Sequence, residues 1–168
     1  MNKWLVGFIF TLLSFGTLFW YMFTHPIEVA SKQIPPSPEV QLAEYLYNKK
    51  SPLVEDVGFI VKLEHWKLLV AISAIESQFC QKQMYNNCFG TGGDAHYRRY
   101  SSFQASFKDA NDLISYWQAQ GRWLTVEDMN CHYVHPCNPN WVKVVNSTLK
   151  DIDEFNTRAS SSVAQNEG

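Results

Sequence analysis

The sequence predicts a mainly α-helical domain preceded by one transmembrane helix, and three observations carry that expectation. Leu68 to Ile75 is apolar or small on every side, broken only by Ser73, as in a helix buried in the middle of a domain. Segments on either side of it repeat apolar residues at helical spacing behind Ser, Thr or Asn caps. Trp4 to Phe23 runs without a charge. As a helix it would measure about 30 Å, the thickness of a hydrocarbon core.

In chain order, residues 1–3 form a short cytoplasmic start, with Lys3 placing the positive charge before the span. Trp4–Phe23 reads as an uncleaved anchor with Trp20 and Tyr21 at the interface. The rival, a cleavable signal peptide, would end at small residues, whereas Phe23, Thr24, His25 and Pro26 stand here. Residues 24–38 form a linker stiffened by Pro35, Pro36 and Pro38. The folded domain is expected over 39–155. Glu39–Asn48 opens it with Val40, Ala43, Leu46 and Tyr47 at helical spacing. Ser51-Pro52 then caps a helix whose period runs on to Leu63. After the buried helix, Gln81–Tyr100 has Asn86-Asn87, Gly90 and Gly92-Gly93, which predicts a loop or short hairpin. Ser106 with Asp109 forms a capping box for a helix ending at Gly121, and Thr125 with Asp128 another for a short helix. Asn138-Pro139 opens the last helix, with an apolar stripe of Trp141, Val144, Val145, Leu149 and Ile152. Residues 156–168 are polar and Ser-rich, a composition expected to stay disordered.

The chain has 168 residues, a formal charge of −2 and 15% aromatic residues. No basic excess points to nucleic acid. The rings suit a lined groove, although a packed core gives the same count. The cysteines fall into two close pairs, Cys80 with Cys88 and Cys131 with Cys137, and four thiols allow three pairings. Disulfides are favoured by the amino-terminal segment, which sends the domain out of the cytosol. The alternative is zinc held by Cys131 and Cys137 with His132 and His135.

Glu76 is the first acid after eleven residues without one, and it stands at the end of the buried helix. Desolvation and the negative end of the helix dipole both raise the pKa of a carboxyl group placed there. A carboxyl that stays protonated near neutrality is what a general acid requires. The plain alternative is a Glu that emerges at the helix end and is solvated.

Three pieces, in order, resemble the lysozyme-like peptidoglycan hydrolases, in particular their glucosaminidase (mannosyl-glycoprotein endo-beta-N-acetylglucosaminidase-like) family. AISAIESQF (Ala71–Phe79) is similar to that family's helix ending in the catalytic Glu-Ser. NNCFG (Asn86–Gly90) is similar to its Asn-Asn-x-Phe-Gly turn. YRRYSSFQASFKDANDLI (Tyr97–Ile114) is similar to its aromatic-Arg-x-Tyr-x-Ser segment and following helix. Tyr133 to Pro136, followed by Trp141, is a weaker fourth piece. The resemblance covers about Ser51 to Asp153. It implies a lysozyme-like helical domain with a small β-lobe or hairpin, acting on the β-1,4 amino-sugar backbone of peptidoglycan without a cofactor. Glu76 would be the acid, and Tyr133 would stabilise charge across the cleft or serve as a core tyrosine with a backbone partner. Ser77, Asn87, Phe89, Gly90 and Arg98 would shape the cleft or touch substrate. The implied location is the bacterial inner (cytoplasmic) membrane, single-pass, with the domain on the periplasmic or outer side.

Two departures follow from the comparison of motifs. Relatives often carry a second catalytic carboxylate in the β-lobe that activates water; here Asp94, the only acid of a short lobe, is the candidate for that role, or a turn residue of its Gly-Gly-Asp sequence. Relatives also tend to have Gly where Cys80 stands. Cys80–Cys88 and Cys131–Cys137 are the expected disulfides, each closing a small loop beside a proposed cleft element. A lytic transglycosylase using Glu76 alone, and a non-catalytic glycan-binding scaffold, remain as alternatives.

Overall fold

The computed structural model describes residues 36–92 and 97–165, with side chains described as far as 157. The proposed anchor, most of the proline linker and Asp94 lie outside the described residues. Among the described residues no helix is long and apolar enough to cross a membrane.

The protein is mainly helical, as the periodicity predicts. Helix α1, Pro38–Asn48, starts from Ser37, whose hydroxyl accepts the Val40 N–H while Pro38 fills the first turn. It buries Leu42, Tyr45 and Leu46. The segment after it departs from the single helix expected to Leu63. Ser51 caps as expected, but a 3-10 turn, Pro52–Asp56, leads into one turn of α-helix, α2, Val57–Ile60. Val54, Val57, Ile60 and Gly58 are weak helix formers. The Ser51 hydroxyl donates to the Phe79 carbonyl at 2.8 Å, so a tertiary bond sets the entry angle.

Helix α3, Trp66–Ser77, is the centre of the core. Five consecutive residues, Leu69 to Ser73, have no exposed surface, which only a helix covered on all sides achieves. Its main neighbour is the last helix, with a less extensive contact to the helix that follows it in sequence. That helix, α4, Phe103–Ala119, begins at Ser102, whose hydroxyl accepts the Ala105 N–H. The expected Ser106–Asp109 capping box is therefore not formed. Ser106 lies buried inside the first turn and accepts the Cys88 N–H at 3.3 Å, while Asp109 is engaged by Arg98 and Tyr100. Two serines four residues apart both suit a cap by composition; packing against Cys88 selects the earlier one.

The Thr125–Asp128 capping box is present and starts α5, Val126–Met129. Helix α6, Pro139–Gln165, opens at Asn138, which accepts the Asn140 N–H at 3.0 Å. Trp141, Val145 and Ile152 are its buried stripe. Helical backbone continues past Phe155 to Gln165, where the sequence predicts a disordered tail. That stretch contains neither Gly nor Pro to break the helix.

The expected β-lobe has no strand among the described residues. Among the described residues between Gln81 and Tyr100 there is only an isolated antiparallel bridge, Met84 to Asn87. Asparagine side chains satisfy the backbone there in place of a partner strand.

Candidate active site

Helix α3 ends at Ser77, and the next three residues, Gln78, Phe79 and Cys80, have φ of 52°, 55° and 62°. A non-glycine residue in this left-handed region costs roughly 1–2 kcal/mol, so three in a row need firm support. Two features supply it. The Cys80–Cys88 disulfide joins the turn to the Asn-Asn segment. Ser77, fully inside, donates to the Cys88 carbonyl at 2.7 Å and accepts the Cys80 N–H at 3.1 Å. Ser77 is thus placed in the scaffold behind the cleft rather than on its surface. Ser77→Ala leaves the Cys80 N–H and Cys88 carbonyl without that partner and is expected to cost about 1–3 kcal/mol, read as a lower denaturation midpoint. An unchanged midpoint would count against this account of the turn.

The turn delivers Phe89 and Gly90 to the edge of a cavity of about 470 Å³ with Glu76 in its lining. Asn87 is buried and organises this edge. Its amide donates to the Thr91 carbonyl at 2.7 Å and the Arg98 carbonyl at 3.2 Å, and its oxygen accepts the Phe89 and Thr91 N–H groups. Gly90 has a φ of +62°, and a Cβ on it would lie 3.8 Å from Glu76 Oε2. Position 90 is therefore where the chain passes beside the carboxyl group. Phe89 packs edge-on against Phe107 and belongs to the core as much as to the cavity wall.

Glu76 is half-buried. Desolvation raises its pKa above the ordinary carboxyl value, as its place on the buried helix predicts. An opposing influence was not legible in the sequence: the Trp141 indole N–H donates to Glu76 Oε1 at 2.8 Å and pulls the pKa down again in part. The sequence places Trp141 in the apolar stripe of α6 and in the weakest piece of the resemblance, without a role beside Glu76. The available signal was chemical, since a buried indole N–H needs an acceptor and a lone carboxylate stood on the facing helix.

Tyr133 also lines the cavity, near enough to Glu76 to feel its charge. Its ring lies 5.5 Å from that of Trp141, and its hydroxyl donates to the Phe89 carbonyl at 3.2 Å. Burial first, and then the nearby Glu76 carboxylate, push its pKa well up, so it remains a neutral phenol. Arg98 lines the same cavity but its guanidinium donates to Asp109 at 2.7 Å, and Tyr100 donates to the same carboxylate oxygen. Thr91, Leu113, Trp123, His132 and His135 complete much of the wall and were not assigned to the site from sequence.

The second disulfide, Cys131–Cys137, closes the loop that carries His132, Tyr133 and His135. This removes the thiolates that a zinc centre there would need, and that alternative is corrected. Among the described residues no cluster of three or more His, Cys, Asp or Glu is placed to hold a metal ion. The arrangement offers one protonatable carboxyl bonded to an indole donor, a neutral phenol nearby, and mixed polar and aromatic walls. Comparison of the chain with protein-family models, with curated proteins and with solved structures finds no match.

Proposed function

We propose that the domain cleaves the β-1,4-linked amino-sugar backbone of peptidoglycan, with Glu76 as general acid. The observation that carries this reading is the carboxyl at the end of the buried helix α3, at the wall of an open cavity, with its pKa raised by burial. The motif resemblance names the substrate. On the same reading the domain is lysozyme-like, with the disulfide-tied loop after α3 taking the place of a small β-lobe. Trp4–Phe23 anchors it to the inner (cytoplasmic) membrane with the domain on the periplasmic or outer side.

In the reaction, Glu76 gives its proton to the glycosidic oxygen as the bond from that oxygen to the anomeric carbon breaks. The sugar left behind gains oxocarbenium character. A water then adds to the anomeric carbon and returns a proton, which completes hydrolysis. Tyr133, held against Phe89, presents its oxygen to that charge or to the N-acetyl group.

A second reading, a lytic transglycosylase, draws on one observation. Glu76 is the sole carboxylate in the cavity lining among the described residues. Transglycosylation needs no second acid, because the sugar's own C6 hydroxyl attacks the anomeric carbon and its proton passes to the Glu76 carboxylate. Mass analysis of fragments released from purified peptidoglycan tests both. Hydrolysis is expected to leave free reducing ends, and the alternative leaves anhydro ends lighter by one water. Asp94→Asn separates the two again: a loss as large as that of a Glu76 variant supports two carboxylates, a small loss a single acid. Absence of any soluble fragment would leave only a glycan-binding scaffold.

A further inference from the structure

An acid catalyst has two oxygens, and the proton has to be on the one that faces the substrate. In Glu76 the two have different surroundings. Oε1 accepts the Trp141 N–H at 2.8 Å, and Oε2 lies toward Gly90 at the cavity edge, 3.8 Å from where a Cβ on that glycine would stand. An indole nitrogen donates and cannot accept, and in a protonated carboxyl the carbonyl oxygen is a stronger acceptor than the hydroxyl oxygen, so the Trp141 bond favours Oε1 as the carbonyl and leaves the proton on Oε2. We infer that Trp141 is a positioning residue that keeps the acidic proton of Glu76 on Oε2, the oxygen turned to the cleft. This rests on Glu76 being the general acid.

The placement is firm because Trp141 itself cannot move freely. It is 2% exposed, sits in the first turn of α6, and stacks at a tilt on Tyr133. Helix α6 is the main packing partner of α3, so donor and acceptor are carried by the two elements in closest register. The bond also strengthens once the proton has gone, since a hydrogen bond to a carboxylate is stronger than one to a neutral carboxyl. Trp141 thus orients the acid before transfer and stabilises its conjugate base afterwards. The other titratable groups of the cavity lining, Arg98, His132, Tyr133 and His135, donate nothing to either Glu76 oxygen.

The test uses the full-length chain labelled at the glutamate carboxyl carbons. Trp141→Phe removes the donor but also leaves a void in the core. A second variant therefore carries benzothienylalanine at position 141, which keeps the ring outline and replaces the N–H by sulfur. In both, the Glu76 titration midpoint is expected to move upward, because an interaction favouring the carboxylate is gone. On soluble glycan strands the alkaline limb of the kcat profile should move the same way, with kcat lowered roughly 10- to 100-fold and KM little changed, as for a misplaced catalytic group. A Glu76 midpoint in the sulfur-containing variant equal to that of the parent overturns the inference and leaves Trp141 a packing residue. The acid assignment falls separately, through an active Glu76→Gln protein, since the midpoint reports the indole bond whether or not the domain cuts glycan.

Discussion

Glu76→Gln is expected to lower degradation of purified peptidoglycan by roughly 10²- to 10⁴-fold, the usual worth of general acid catalysis, while the fold survives. Glutamine keeps the shape of the side chain and can still accept the Trp141 N–H through its amide oxygen, so the packing of α3 on α6 is unchanged. It has no proton to give. The same substitution should change the pH dependence of stability in a defined direction. Because the folded protein raises the Glu76 pKa, it favours the protonated form. That stabilisation is complete below the ordinary carboxyl pKa and is lost as pH rises through the folded value. The parent should therefore lose stability over that window and the glutamine variant should not. Degradation at the parent rate would show that Glu76 is not the acid; identical pH dependence of unfolding would show that its carboxyl is not buried as described.

Replacing Cys80 and Cys88 together by serine is expected to lower stability by about 2–3 kcal/mol, from the loss of a small closed loop in the unfolded chain. The functional effect should be larger than that figure implies. The bridge ties down the left-handed run Gln78–Cys80 directly behind Glu76 and the segment that delivers Phe89 and Gly90 to the cavity. Without it, those residues relax toward ordinary backbone angles, and the edge beside Oε2 loses its place. The matching change at Cys131 and Cys137 should cost a similar amount of stability, because its loop is of similar length. Denaturation midpoints of the two double variants, with peptidoglycan degradation measured where each is fully folded, check both statements. Full activity in the Cys80/Cys88 variant under folded conditions would separate the bridge from the site.

Much of this was legible in the sequence because it depends on neighbours along the chain. Apolar residues on every side of Leu68–Ile75 require a buried helix, and the Thr125–Asp128 and Asn138-Pro139 signals open helices where they stand. Both disulfides join the cysteines nearest in sequence. Glu76 stood out because it is the first carboxyl at the end of such a helix, although only the packing around it decided that it is desolvated rather than solvated. What tertiary structure decided is which distant group meets which. Ser102 rather than Ser106 caps α4 because Ser106 is held by Cys88, and the Ser51 hydroxyl that caps the next segment also reaches the distant Phe79 carbonyl. The Tyr133 hydroxyl goes to the Phe89 carbonyl, and Arg98 goes to Asp109. Trp141 reaches Glu76 across 65 residues of chain. Periodicity could say that Trp141 faces inward, but an indole on an inward face looks the same in sequence wherever its N–H points. Only the docking of α6 against α3 chooses its acceptor, and with it the oxygen of Glu76 that is left to face the cleft.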